Sequence, residues 1–211
     1  MAVVTVSRQY GAGGFRVARA LAEALRFRLV DREIVEEAAK RIGWDPEAAK
    51  ARDERAPALV EEVGMALAGA GPSVGGGPPL FVPPPSMDDR SLVRATGAVI
   101  SSLADAGGYV ILGRGGQAVL RDHPDACHVS LVGEIRDRVR RVMEWQHVDE
   151  GEAEARCERV DADRAGYVRR FYGVDIRDPG LYDCVLNTSR LRLEEAMAIA
   201  VIVARRKLGL R

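Results

Sequence analysis

The sequence has no net charge, since 31 basic residues balance 31 acidic ones over 211 residues. No global field therefore draws the chain to nucleic acid or to an anionic membrane, and any anion it binds must be held by a local cluster. Cysteine is scarce. Cys127, Cys157 and Cys184 are odd in number, widely spaced and outside any C-x-x-C or Cys/His pattern. That argues against a disulfide framework or zinc site and reads as small buried hydrophobes in a reducing compartment. No apolar run nears the roughly 18 residues of a membrane span, and no basic region with an apolar core opens the chain. The expectation is a cytoplasmic protein with neither a membrane nor a nucleic-acid partner. Lysine is almost missing: Lys40, Lys50 and Lys207 are three of the 31 basic residues. The arginine excess suits planar, bidentate phosphate recognition, although genomic base composition produces the same bias.

What is present alternates between strand and helix signals. Ala2–Ser7 is short, apolar and β-branched, as a buried parallel strand reads. After Gly14, residues Val17, Ala18, Leu21, Ala22 and Leu25 recur at helical spacing. Phe27–Asp31 reads as a second strand, and Ile34, Val35, Ala38, Ala39 and Ile42 as one face of a second helix. This βαβ opening favours a parallel sheet covered on both faces. Further strands are expected at Tyr109–Leu112, Ala126–Val132 and Asp183–Asn187. Helices are expected near Ser91–Leu103, at Glu134–Trp145 and at about Leu193–Lys207. Between about 68 and 89, glycine and proline dominate (AGAGPSVGGGPPLFVPPPSMDD), which reads as a flexible insertion or as a lid that orders over substrate. The chain is expected to be one domain over 1–211, with a second lid-like region at about 149–178.

Gly11-Ala12-Gly13-Gly14 sits between the first strand and the first helix. There, successive main-chain N–H groups face one concavity and the helix dipole adds partial positive charge, so an anion is held without any side chain. Two nucleotide templates fit only partly. In the Walker pattern with Gly13 as its last glycine, Arg8 stands at the first glycine, Gly14 at the lysine and Phe15 at the hydroxyl residue. The dinucleotide pattern lacks its third glycine.

Ser7-Arg-Gln-Tyr-Gly-Ala-Gly-Gly14 resembles the SRxxGSGG signature of the cytidylate-kinase-like family, a divergent branch of the nucleoside-monophosphate kinases. The resemblance continues through Val30-Asp-Arg-Glu33, Gly113-Arg-Gly-Gly116, Asp161-x-x-Arg164-x-x-Tyr167, Asp178-Pro179 and Tyr182-Asp-x-Val-x-Asn-Thr-Ser-Arg190. It implies a P-loop kinase fold, three-layer α/β/α with a five-stranded parallel sheet, a helical lid, and ATP and Mg2+ as cofactors. By position it implies that Gly11, Ala12, Gly13 and Gly14, with Arg16 beside them, cradle the donor phosphates. Asp31 and Arg32 would border the acceptor, Arg114 would grip its phosphate, and Arg164 would close from the lid. Asn187–Ser189 would flank the donor base. The metal ligands are left open.

The family signature itself lacks the lysine, and Arg8 or Arg16 is the candidate substitute. Phe15 removes a magnesium-ligating hydroxyl, and Leu112 stands where true cytidylate kinases often carry an acid. Three functions follow as alternatives: a kinase of a nucleoside monophosphate such as CMP, a nucleotide-binding regulatory protein without transfer, or a kinase of another small molecule. Most arginines of the 136–141 and 156–170 clusters read equally as solvated helix faces paired with neighbouring acids.

Overall fold

The computed structural model describes residues 1–31, 33–43 and 87–210, so the Gly/Pro-rich stretch, apart from its last residues, and Arg32 lie outside the described residues. In chain order the elements are β1 (Val3–Arg8), α1 (Gly14–Leu25), β2 (Arg28–Val30), α2 (Glu33–Arg41), α3 (Met87–Ala106) and β3 (Tyr109–Leu112). There follow α4 (Gly116–Val119), β4 (Ala126–Val132), α5 (Ile135–Gln146), α6 (Glu150–Tyr172), a 3-10 turn (Pro179–Leu181), β5 (Cys184–Asn187) and α7 (Leu193–Lys207). The five strands form one parallel sheet in the order β2-β3-β1-β4-β5.

Strand β1 is central because it is apolar on both faces. Val4 and Val6 join Val17, Leu21, Ala196 and Ala200, so α1 and α7 cover one face. Val3 joins Ile34, Ile100 and Ile111, so α2 and α3 cover the other. This is the three-layer α/β/α arrangement expected. A third cluster, with Val139, Val142, Ala153 and Cys157 at its centre, packs α5 against α6 and takes in Tyr10 from the loop after β1. The chain leaves β1 for β2, returns to β3 beside β1, then crosses to β4 on the other side. A crevice therefore opens at the carboxyl end of β1, where ligands bind in sheets of this kind.

The largest departures from expectation are at the two ends of one helix. Helix α3 starts at Met87, so the last residues assigned to the insertion are helical. Helix α3 also runs on to Ala106. The charged 149–178 stretch is mostly one 23-residue helix, started by the Asp149 side chain accepting from Glu152 N and stopped by Gly173 at φ 70°.

His128 is buried in β4, and its two ring nitrogens are both used. The Thr5 hydroxyl lies 2.7 Å from Nδ1 and the Leu120 carbonyl 3.2 Å from Nε2. A carbonyl only accepts, so Nε2 carries the proton and Nδ1 takes the threonine hydrogen. Burial lowers the His128 pKa below its ordinary 6.5, against the pull of Asp183 and the Leu120 bond. The folded protein thus refuses a proton that the unfolded chain binds, and stability falls as pH drops below about 6.5. The melting temperature is expected to be lower at pH 5.5 than at pH 7.5. The drop should shrink in His128→Gln, and an equal drop in the variant would refute the assignment.

Candidate phosphate-transfer site

The bend after β1 is built by two glycines in the left-handed region, Gly11 at φ 76° and Gly13 at φ 82°. Helix α1 begins with Gly13 as its N-cap, no side-chain cap and no acid in its first turn. Among the described residues, nothing accepts from the main-chain N–H groups of Gly13, Gly14, Phe15 or Arg16. These are the orphan donors of a helix mouth, and with the positive end of the dipole they favour an anion. Ala12 is buried, and its amide donates to Gln9 O at 3.2 Å.

Three arginines from three segments meet beside this mouth. Arg8 ends β1, and its side chain runs between Gly14 and Gly113. A Cβ on Gly14 would lie 2.6 Å from Arg8 Cβ, and one on Gly113 would strike Arg8 Nη1. Both glycines therefore make room for an arginine, a use not visible in the sequence. Arg8 Nη2 is 3.9 Å from Asp31 Oδ2, and Arg114 Nε is 3.6 Å from Asp31 Oδ1. Arg164, from α6, donates through Nη1 to the main-chain oxygen of Arg8 at 2.9 Å. Burial and then the Arg164 charge pull the Arg8 guanidinium down to about 9, with Asp31 opposing and Arg114 adding to the fall. Burial lowers Arg164 too, against Asp161 and Asp31. Cations so placed repel one another, and an anion between them relieves the repulsion.

Arg114 has φ 60°, between Gly113 at 78° and Gly115 at 69°. A non-glycine residue there costs on the order of 1–2 kcal/mol, and such strain collects at functional sites. On Gly115 a Cβ would lie 2.6 Å from the Tyr172 ring, so the end of α6 also closes over this turn.

Of the residues singled out from sequence, the structure brings together Gly11, Gly13, Gly14, Arg8, Arg114, Arg164 and Asp31. Arg16 stands apart, exposed and paired with Glu194 at 3.4 Å. Arg32 lies outside the described residues. Tyr167 packs edgewise on Phe171 and Tyr172, with ring centroids 5.2 and 5.9 Å away. Asn187 Oδ1 accepts from Ser189 N at 2.9 Å, which closes the turn after β5.

Two residues had passed as members of a solvated face. Arg138 is buried, donating to Gly133 O, to Tyr10 O and to Asp161. Arg141 donates to Gly11 O at 3.3 Å and to Thr188 Oγ1 at 3.1 Å, tying the glycine bend to the turn after β5. The available signal was phase: Ile135, Arg138, Val139 and Val142 share one helical stripe, which Arg136 and Arg140 avoid.

A family model described as the cytidylate kinase-like family matches residues 3–190. A cytidylate kinase of Pyrobaculum neutrophilum is 28% identical over 203 residues, covering 95% of this chain and 91% of that protein. One of Pyrobaculum arsenaticum is 27% identical with the same coverage. Among solved structures, an uncharacterized protein from Eubacterium ventriosum superposes with a TM-score of 0.69 at 19% identity, covering 100% of both chains. A gluconokinase from Sinorhizobium meliloti gives 0.50 at 15% identity, covering 99% of this chain and 91% of that one. At these identities the structural likeness speaks for the fold, that of a P-loop kinase.

Proposed function

The chain belongs to the cytidylate kinase-like family, and from that premise we propose that it transfers the γ-phosphoryl group of ATP to a nucleoside monophosphate, with CMP the first acceptor to try. The observation that carries this reading is the meeting of Arg8, Arg114 and Arg164 beside an uncapped helix mouth. Phosphoryl transfer asks little covalent chemistry of the protein. It needs positioning, and positive charge on the oxygens of the group in flight.

In this reading the amides from Gly13 to Arg16 hold the donor phosphates. Arg114, with Asp31 orienting it, holds the acceptor phosphate. Arg8 lies between the two and supplies the cation that the lysine supplies in Walker loops. Arg164 reaches in from α6, and that helix excludes water. An acceptor phosphate oxygen attacks the γ-phosphorus in line, and the bond to the β–γ bridging oxygen breaks. ADP leaves with the bonding electrons.

Magnesium takes oxygen ligands and keeps several waters. Among the described residues no group of three or more His, Cys, Asp or Glu side chains forms a metal cage. The side chains present therefore suit a metal that enters with the nucleotide and is held mainly by phosphates and water. Asp31, beside Arg8 and Arg114, would be the carboxylate to hold such a metal through a water. Bound there, the metal would neutralise phosphate charge.

Phe15, 59% exposed at the helix mouth where Walker loops carry a hydroxyl, favours a second reading of binding without transfer. A coupled ADP-release assay over a panel of nucleoside monophosphates separates the two. Acceptor-dependent ADP release, greatest with CMP, is expected. Tight ATP binding with no release for any acceptor would leave the second reading standing and eliminate the first.

A further inference from the structure

Resting on the phosphate-loop reading above, we propose that Asp161 is a positioning residue that sets both the phosphate loop and the lid arginine. Its carboxylate belongs to α6 yet reaches the loop after β1. Oδ1 accepts from the main-chain N–H of Tyr10 at 2.7 Å, and Oδ2 accepts from Arg138 Nη1 at 2.7 Å. The same Arg138 nitrogen donates to Tyr10 O at 3.0 Å. Both main-chain polar groups of Tyr10 are thus taken by one ion pair, immediately before the first glycine of the bend.

The clamp is built rather than incidental. The Arg138 side chain is 8% exposed and that of Asp161 23%, and Arg138 Nε is anchored on Gly133 O at 2.9 Å. A buried ion pair brings little net stability over an apolar pair of the same volume, so stability alone is a weak reason for one here. Its geometry supplies a better one. Asp161 and Arg164 are one helical turn apart on α6, and Arg164 Nη1 lies 3.9 Å from Asp161 Oδ1 while donating to Arg8 O. One carboxylate therefore fixes the peptide that enters the bend and steadies the cation that closes over it. The clamp uses the amide of Tyr10 and leaves those of Gly13 to Arg16 to a ligand. It orients the loop without plugging it.

The test compares the full-length wild type with Asp161→Ala, Asp161→Glu and Arg159→Ala. Arg159 serves as control because it lies on the same helix with its side chain exposed to solvent. Three quantities are read: amide exchange at Tyr10 in nucleotide-free protein, Kd for a non-hydrolysable ATP analogue, and kcat against KM. In Asp161→Ala, Tyr10 protection is expected to fall and Kd to rise, each by about ten- to a hundredfold, as for a lost charge-assisted hydrogen bond. Asp161→Glu keeps the charge but moves the carboxylate by one methylene, so kcat should fall about tenfold or more at an unchanged melting temperature. Arg159→Ala should match the wild type. Should Asp161→Ala unfold, Asp161→Glu decides alone. Wild-type Kd and kcat in Asp161→Glu, or tighter analogue binding in Asp161→Ala, would overturn the positioning role. A wild-type protein that ignores the analogue overturns instead the phosphate-loop reading, and the positioning role falls with it.

Discussion

Replacing Arg8 by methionine is expected to lower phosphoryl transfer by about 10²–10³-fold, the loss usual when one preorganised donor to a developing charge is removed, while leaving the ligand-free protein at least as stable as before. The two effects have one cause. The Arg8 side chain is 19% exposed beside Arg164 and Arg114, and its contact with Asp31 is long at 3.9 Å. Burial and the neighbouring cations bring it down to about 9, so the folded state carries this charge at a cost. Methionine fills the channel between Gly14 and Gly113 without that cost. Each kcal/mol regained would raise the melting temperature by about 2–4 °C in a chain of this size. The stabilisation expected of ATP by mass action should be smaller in the variant than in the wild type. A structural arginine would behave the opposite way, losing melting temperature and keeping turnover. That pattern in thermal melts and the ADP-release assay would remove Arg8 from the site. A gain in stability with a loss of activity is the signature of a residue kept for function.

Gly11→Ala is expected to weaken ATP binding far more than Gly13→Ala, although both glycines have positive φ and lie two residues apart. A left-handed conformation costs any alanine on the order of 1–2 kcal/mol, so strain alone does not separate them. Their surroundings do. At Gly11 the new Cβ would lie 2.7 Å from the main-chain oxygen of Arg138 and 3.0 Å from its Cβ. At Gly13 it would meet Leu193 Cδ1 at 2.7 Å, the tip of a side chain that can turn away. Helix α5 cannot yield at Arg138 without disturbing its hold on Tyr10 and Gly133, so the Gly11 variant must shift the loop itself. Calorimetry with an ATP analogue should show Gly13→Ala binding detectably, improved by a second change, Leu193→Ala. Gly11→Ala should bind at least about tenfold more weakly than Gly13→Ala, as expected when about 1.4 kcal/mol more is lost. Equal affinities would mean that the close approach of α5 to the loop does not shape the site.

Much of the fold was legible along the chain because its signals are local. A β-branched run, a glycine cluster and an i, i+3, i+4, i+7 stripe mark β1, the bend and α1 within 25 residues, and nothing distant is needed to interpret them. That the sheet is parallel followed from the alternation of strands with helices; the order of the strands in it came only with the structure. Part of the candidate site was legible for the same reason, since the bend at Gly11, Gly13 and Gly14 is a property of the local backbone. Arg114 was marked by its place after β3, and Arg164 by its motif. The short helix α4 was not foreseen, because Arg114 and Gly115 in the left-handed region give no helix-start signal in sequence.

What sequence by itself determined about this protein is the succession of elements and the glycine bend, both consequences of short-range sterics and hydrophobic period. Helical phase marked the apolar side of α5, but only the tertiary structure decided what an arginine on that side meets. Arg138 and Arg140 are two residues apart in the same charged run, yet one is buried against the loop and the other is exposed and paired with Asp137. The two lie on nearly opposite sides of α5, and the side that carries Val139 and Val142 packs against α6 and Tyr10. The acid that serves Tyr10 comes from 151 positions further along the chain. A helix rich in both charges offers many pairings of nearly equal energy in water, and only packing against the loop selects those that are buried and directed at one point.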